Sequence, residues 1–106
     1  MEIVRTDRYR RQAERLLSER ELQVAEGEIA GQPERWPVIQ GTGGCRKARA
    51  RRGGAGKSGG ARIVYFYRSH RGVIYFLSIF AKSEQSDLTS ADKAALRAIV
   101  KAVQES

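Results

Sequence analysis

The spacing of apolar positions along this chain changes several times, and each change marks an element. Glu2 to Arg5 (EIVR) is a brief alternation that predicts a short first strand. From Asp7 the period lengthens. Tyr9, Ala13, Leu16 and Leu17 recur at i, i+4, i+7 and i+8, one face of a helix with Asp7 as its expected N-cap and an end at about Leu17. Ser18-Glu19-Arg20-Glu21 then fits a capping box, with Ser18 as N-cap and the Glu21 carboxylate reaching back. The helix it opens carries Leu22, Ala25 and Ile29 on one stripe and should stop near Gly31, ahead of Pro33. The two segments read as a helical hairpin with charged outer faces.

Pro33 to Gly44 is a loop. Trp36 is pushed toward an extended backbone by Pro37, and its ring reads as a cover for the core edge, with base stacking as the alternative. Arg46 to Arg51 alternates with period two. Lys47, Arg49 and Arg51 fall on one face and Arg46, Ala48 and Ala50 on the other. A row of like charges repels itself, so it suits either an anion-binding strand or a solvated edge strand charged against aggregation. Arg52 to Gly60 (RGGAGKSGG) reads as a long hairpin loop with Lys57 near its tip. Ala61 to Arg68 and Val73 to Phe80 are apolar at nearly every position and rich in Ile, Val, Tyr and Phe. They predict central strands covered on both faces, joined by a turn at Ser69 to Gly72. Ala81 to Leu88 leaves as a polar loop. Thr89 or Ser90 caps a last helix, whose stripe of Leu96, Ile99, Val100 and Val103 can dock on the sheet. The expected fold is α+β: a small antiparallel or mixed sheet flanked by an N-terminal helical hairpin, with a C-terminal helix, as one domain over residues 1–106.

Charge sharpens this pattern. Gly43 to Lys82 holds ten Lys or Arg and no acid, whereas residues 1–42 hold seven cations against eight acids and residues 83–106 three against four. The whole excess behind the net +8 and the pI near 10.3 therefore lies on the predicted strands and their loops. Such a surface suits a polyanion. A DNA reader would carry these charges along a recognition helix, and here the helices are near neutral.

Other chemistry is thin. Cys45 stands alone, which excludes an internal disulfide, and the single His70 is 25 residues away, so no metal site or small-molecule cofactor is expected. His70 falls in a turn, where exposure is the ordinary outcome. Gly56-Lys57-Ser58 resembles a P-loop only at first sight, because Arg51 stands where the leading glycine belongs and a strand follows instead of a helix. No apolar run approaches the roughly 20 residues of a membrane span, and MEIVRTDRYRR lacks the apolar centre of a signal peptide, so a cytoplasmic protein is expected.

Taken together, IQGTGGCRKAR, GKSGGARIVYFY and IYFLSIFAKSEQSDLT resemble the RelE/HigB family of bacterial toxins, most closely the HigB-type branch, and the likeness spans nearly the whole chain. The resemblance implies a ribosome-dependent mRNA endonuclease acting in the A site. It also implies a cognate HigA-type helix-turn-helix antitoxin. The family's functional cations match Lys47 and Arg49, with Arg51 on the same face, and Arg62 at the start of the next strand. Lys82 joins them as a candidate acid or phosphate ligand. Where the founding member has a catalytic arginine and a catalytic tyrosine, this chain has Ser83 and Thr89.

Cleavage by the ribose 2′-hydroxyl needs a base, a stabiliser of the phosphorane charge and an acid for the 5′-oxygen. With one poorly placed histidine, lysine and arginine must serve. Lys47 is then base or phosphate ligand, and Arg49 and Arg62 stabilise the phosphorane. Arg46, Arg51, Arg52 and Lys57 are expected to contact RNA or ribosome, and Tyr65, Tyr67 and Tyr75 are possible stacking rings. The competing reading is a basic RNA- or ribosome-binding module without catalysis.

Overall fold

Apolar content sets strand order. The computed structural model describes residues 1–53 and 60–106. In it the two most hydrophobic strands, β3 (Ala61–Arg68) and β4 (Val73–Ala81), pair antiparallel at the centre of the sheet. β1 (Glu2–Arg5) lies parallel to β4, and β2 (Arg46–Ala50) antiparallel to β3, giving a four-stranded mixed sheet of order β1-β4-β3-β2. The expected α+β class holds. Lys57 and the tip of the glycine-rich loop lie outside the described residues.

Two helices, α1 (Asp7–Leu16) and α2 (Glu19–Gly31), cover one face of the sheet. Tyr9, Ala13, Leu16, Ala25 and Ile29 pack there against Ala48, Ile63, Tyr65, Ile74, Phe76 and Ile79. The other face is closed by α3 (Ser90–Glu105), whose Leu96 and Val100 meet Cys45, Val64, Phe66, Leu77 and Phe80. A bulge in β4 makes this division possible. Val64 pairs with Ser78 and Tyr65 with Phe76, so Leu77 is the extra residue. Phase reverses there, which lets Phe76 and Ile79 face the hairpin while Leu77 and Phe80 face α3.

The caps follow from sequence with one correction. Ser18 and Glu21 make the capping box of α2, and Thr89 with Asp92 makes that of α3. Helix α1, however, is capped by Thr6 rather than Asp7. The Thr6 hydroxyl accepts from the Tyr9 N–H at 3.1 Å and donates to the Leu77 carbonyl at 3.2 Å, tying the helix start to β4. Two strand ends also move. β2 stops at Ala50, one residue short of Arg51, and β4 runs through Ala81. Along α3 the expected stripe is narrower than read, for Ile99 is exposed.

Beneath the hairpin sits a closed set of charges. Glu26 is buried on α2 and accepts from Arg5 Nη2 at 2.6 Å, from Arg5 Nε at 3.1 Å and from the Tyr9 hydroxyl at 2.8 Å. Burial, then the carboxylate of Glu26, pushes the Tyr9 phenol well above its ordinary value. This carboxylate has its donors; it is structural.

Candidate active site

Register decides which cations meet. Arg49 on β2 lies directly opposite Arg62 on β3, and Arg62 lies opposite Phe80 on β4. Ala48, Ala50, Ala61 and Ile63 face the hairpin, so alternation turns Lys47, Arg49 and Arg62 to the side that carries α3. The Lys82 N–H donates to the Gly60 carbonyl at 3.2 Å, which brings Lys82 to the same end of the sheet. Gly60 is needed for this approach. Its φ is +58°, and an added Cβ would stand 2.5 Å from the Ala50 carbonyl oxygen. All four residues assigned to catalysis are thus gathered at one end of β2, β3 and β4. Directly opposed like charges repel each other in a sheet, and Arg62 Nη1 also donates to the Ala61 carbonyl at 3.2 Å.

The loop after β4 supplies the nearest acid. Lys47 Nζ is 3.1 Å from Asp87 Oδ1, and the same oxygen accepts the Leu88 N–H at 2.8 Å. That backbone bond first, and Lys47 second, hold the Asp87 carboxyl below the usual range. Lys82 Nζ donates to the Ser86 carbonyl at 3.0 Å. Gln85 Nε2 braces the turn from inside, donating to the Asp87 carbonyl and to Asp92. The far side is held to α1 by a two-pronged pair, Arg15 to Glu84 at 3.1 and 3.2 Å.

The residues assigned to RNA contact divide. Arg51 is exposed beyond the end of β2. Arg46 sends Nη1 to the carbonyls of Glu34 and Trp36, at 3.0 and 2.6 Å, and so fastens the loop before β2. Arg52 donates Nε to the last-turn carbonyl of Leu16 on α1 at 3.1 Å, and beside it the Gly53 N–H donates to Glu21. Tyr65 is a correction. It is fully buried, with its hydroxyl donating to the Pro33 carbonyl, so it is a core ring and has no face to offer a base. Tyr67 is half-buried at the opposite end of β3, paired with Ile74 and packed under the hairpin, apart from the four cations. Tyr75 packs on the α3 side against Phe66. Burial pushes the Cys45 thiol up to about 11, which suits an inert core residue.

Sequence reading missed Asp87 and Glu26. Glu26 carried a signal, since it sits four residues after Leu22 and three before Ile29 on the buried stripe. Asp87 carried none, because its contact joins residues 40 apart.

The sequence profile of the family described as the RelE toxin of the RelE/RelB toxin–antitoxin system matches residues 1–106. The chain belongs to the RelE toxin family. The crystal structure of the intact E. coli RelBE toxin–antitoxin complex contains a chain of similar fold, with TM-score 0.58 and 21% identity, covering 74% of this chain and 92% of that one. The hydroxyl of Thr89 accepts the Asp92 N–H at 3.0 Å and is committed to capping α3. Ser83 stands exposed in the loop.

Proposed function

We propose that this RelE-family toxin is an endoribonuclease that enters the ribosomal A site and cuts mRNA there by attack of a ribose 2′-hydroxyl on the adjacent phosphate. A HigA-type antitoxin restrains it in the cytoplasm. One observation carries the reading: Arg49 and Arg62 stand opposite each other on adjacent strands, with Lys47 and Lys82 at the same end. A phosphorane, with its extra negative charge, is held from both strands when it lies between the two guanidinium groups. Lys47 already holds an anionic oxygen, that of Asp87, at 3.1 Å. A phosphate oxygen can replace it. Lys82, exposed just past the strand end, is the acid for the departing 5′-oxygen in this reading. The ribosome contributes by holding the 2′-oxygen in line with the bond that breaks, which reduces what the side chains must supply. In this reading side chains do all the proton and charge work, without a metal: Lys47 takes the proton of the 2′-hydroxyl as its oxygen bonds to phosphorus, and Lys82 protonates the 5′-oxygen as its bond to phosphorus breaks. The family assignment and the antitoxin bound in the E. coli complex support a partner for this chain.

The test is cleavage of an mRNA in a purified translation system, mapped by primer extension, with and without ribosomes. Cuts that require ribosomes and fall roughly 100-fold in Lys47→Ala and Arg62→Ala are expected. Folded protein that binds ribosomes and leaves the message intact would establish a binding module instead.

A further inference from the structure

The cations of the site do not stop at the edge of the sheet. A groove of about 960 Å³ runs past the end of β2 toward α2, and Arg49 and Arg62 line it together with Arg20, Arg35 and Arg51. Arg20 and Arg35 come from the N-terminal 42 residues, a part of the chain whose acids outnumber its cations. Folding carries them to the basic block. Arg20, Arg35, Arg49 and Arg51 are exposed, and none forms an ion pair with a described residue. The two acids of the groove are Glu21 and Glu28, and Glu21 is already engaged by the Ser18 and Gly53 N–H groups. Val24, Ala25, Ala50 and half-buried Trp36 supply an apolar floor, with Val24 54% exposed. The Arg35 guanidinium lies 4.9 Å from the centroid of the Trp36 ring.

We infer that this groove is a second binding site, for the single-stranded RNA that flanks the cut. Arg20, Arg35 and Arg51 hold backbone phosphates there, and the stacked Arg35–Trp36 pair carries a base. The chemistry matches on three counts. A strand whose phosphate rests between Arg49 and Arg62 enters the groove at once, because those two residues belong to both places. Cations spaced along a channel track a phosphodiester backbone without reading its sequence. Apolar patches and guanidinium planes between the charges accept base faces, the usual way proteins hold unpaired RNA. The inference rests on the RNA-cleaving reading and extends it from one phosphate to a track.

Binding of fluorescein-labelled oligouridylate, followed by anisotropy over a series of KCl concentrations, tests it. The proteins are wild type, the double variant Arg20→Ala/Arg35→Ala, the double variant Arg20→Lys/Arg35→Lys, and Lys47→Ala. Loss of two phosphate contacts should weaken binding about tenfold and reduce the slope of log K against log salt by about 1.4. The lysine variant should keep the slope and lose part of the affinity, since charge is retained and stacking is not. Unchanged melting of each variant confirms that folding is not at issue. Ribosome-dependent cleavage by wild type, run in parallel, reports on the nuclease reading separately. If wild type cuts but shows no binding to the oligonucleotide, or if the alanine variant keeps the wild-type slope, the groove inference is wrong. It is equally wrong if a polyglutamate peptide loses affinity for the alanine variant while RNA does not, for the groove would then serve an acidic protein.

Discussion

Two clusters of charge in this toxin are built on opposite rules. Under the hairpin, Arg5, Glu26 and Tyr9 form a matched set in which one buried carboxylate takes every donor offered. At the end of β2 and β3 nearest their connecting loop, Lys47, Arg49, Arg62 and Lys82 come together, and the acid that reaches Lys47, Asp87, is itself exposed and half committed to the Leu88 N–H. Burial explains the first rule. A charge removed from water is tolerated only when paired and hydrogen-bonded. The second cluster stays near solvent, where mutual repulsion is screened and small, and that keeps its cations within reach of an outside anion. Function is to be sought at the charges the fold sets against one another.

Breaking the matched cluster should have the largest effect on stability. Glu26→Ala strands Arg5 and the Tyr9 hydroxyl. The loss should be about 2–3 kcal/mol, below the full cost of a broken buried pair because the Arg5 side chain is 36% exposed. Urea unfolding measures it.

The same cluster predicts an alkaline limit. Tyr9 ionises near 10 in the unfolded chain and well above that when folded. Below the unfolded value its contribution is fully present. As pH rises past it, the unfolded state releases a proton that the folded state keeps, so stability falls by up to about 1.4 kcal/mol per pH unit. Tyr9→Phe should lower stability at neutral pH by about 1 kcal/mol, for the lost hydrogen bond, and flatten that alkaline slope. An unchanged slope would assign the alkaline limit to other groups.

Smallest is the effect of Asp87→Asn. An exposed ion pair contributes below about 1 kcal/mol, so melting should barely move. Because the Asp87 carboxyl titrates below the usual range, its hold on Lys47 is complete at neutral pH and is lost as pH falls through that depressed value. The variant should bind RNA a few-fold more tightly, with Lys47 released. Weaker binding would make Asp87 a support for Lys47 rather than its competitor.

Much of the scaffold was legible because its causes are local. Ser18 with Glu21 is a short-range cap, Thr89 was one of two adjacent residues offered for α3, and the apolar content of β3 and β4 identified the central strands from composition alone. The row of Lys47 and Arg49 followed from period-two alternation. Its meeting with Arg62 did not, for register across a glycine-rich loop depends on pairing that no local rule supplies. The arginines of the groove were hidden for a similar reason. Arg20 and Arg35 sit in a segment where acids outnumber cations, and it takes the packing of α2 beside β2, and for Arg35 the loop that Arg46 fastens, to bring them to the basic side. Tyr65 was misread because an aromatic on a strand offers its ring to core or ligand alike, and the choice rests on whether the hairpin covers that face.

The central claim is that the opposed cations serve an anion and not the fold. The most direct measurement sets stability beside cleavage for one variant, Arg49→Ala/Arg62→Ala, by thermal melting and by ribosome-dependent primer-extension mapping. Removing two opposed guanidinium groups should leave the melting temperature unchanged or slightly raised while cleavage falls by at least about 100-fold. A variant that melts markedly lower, or one that still cuts at the wild-type rate, would contradict the account.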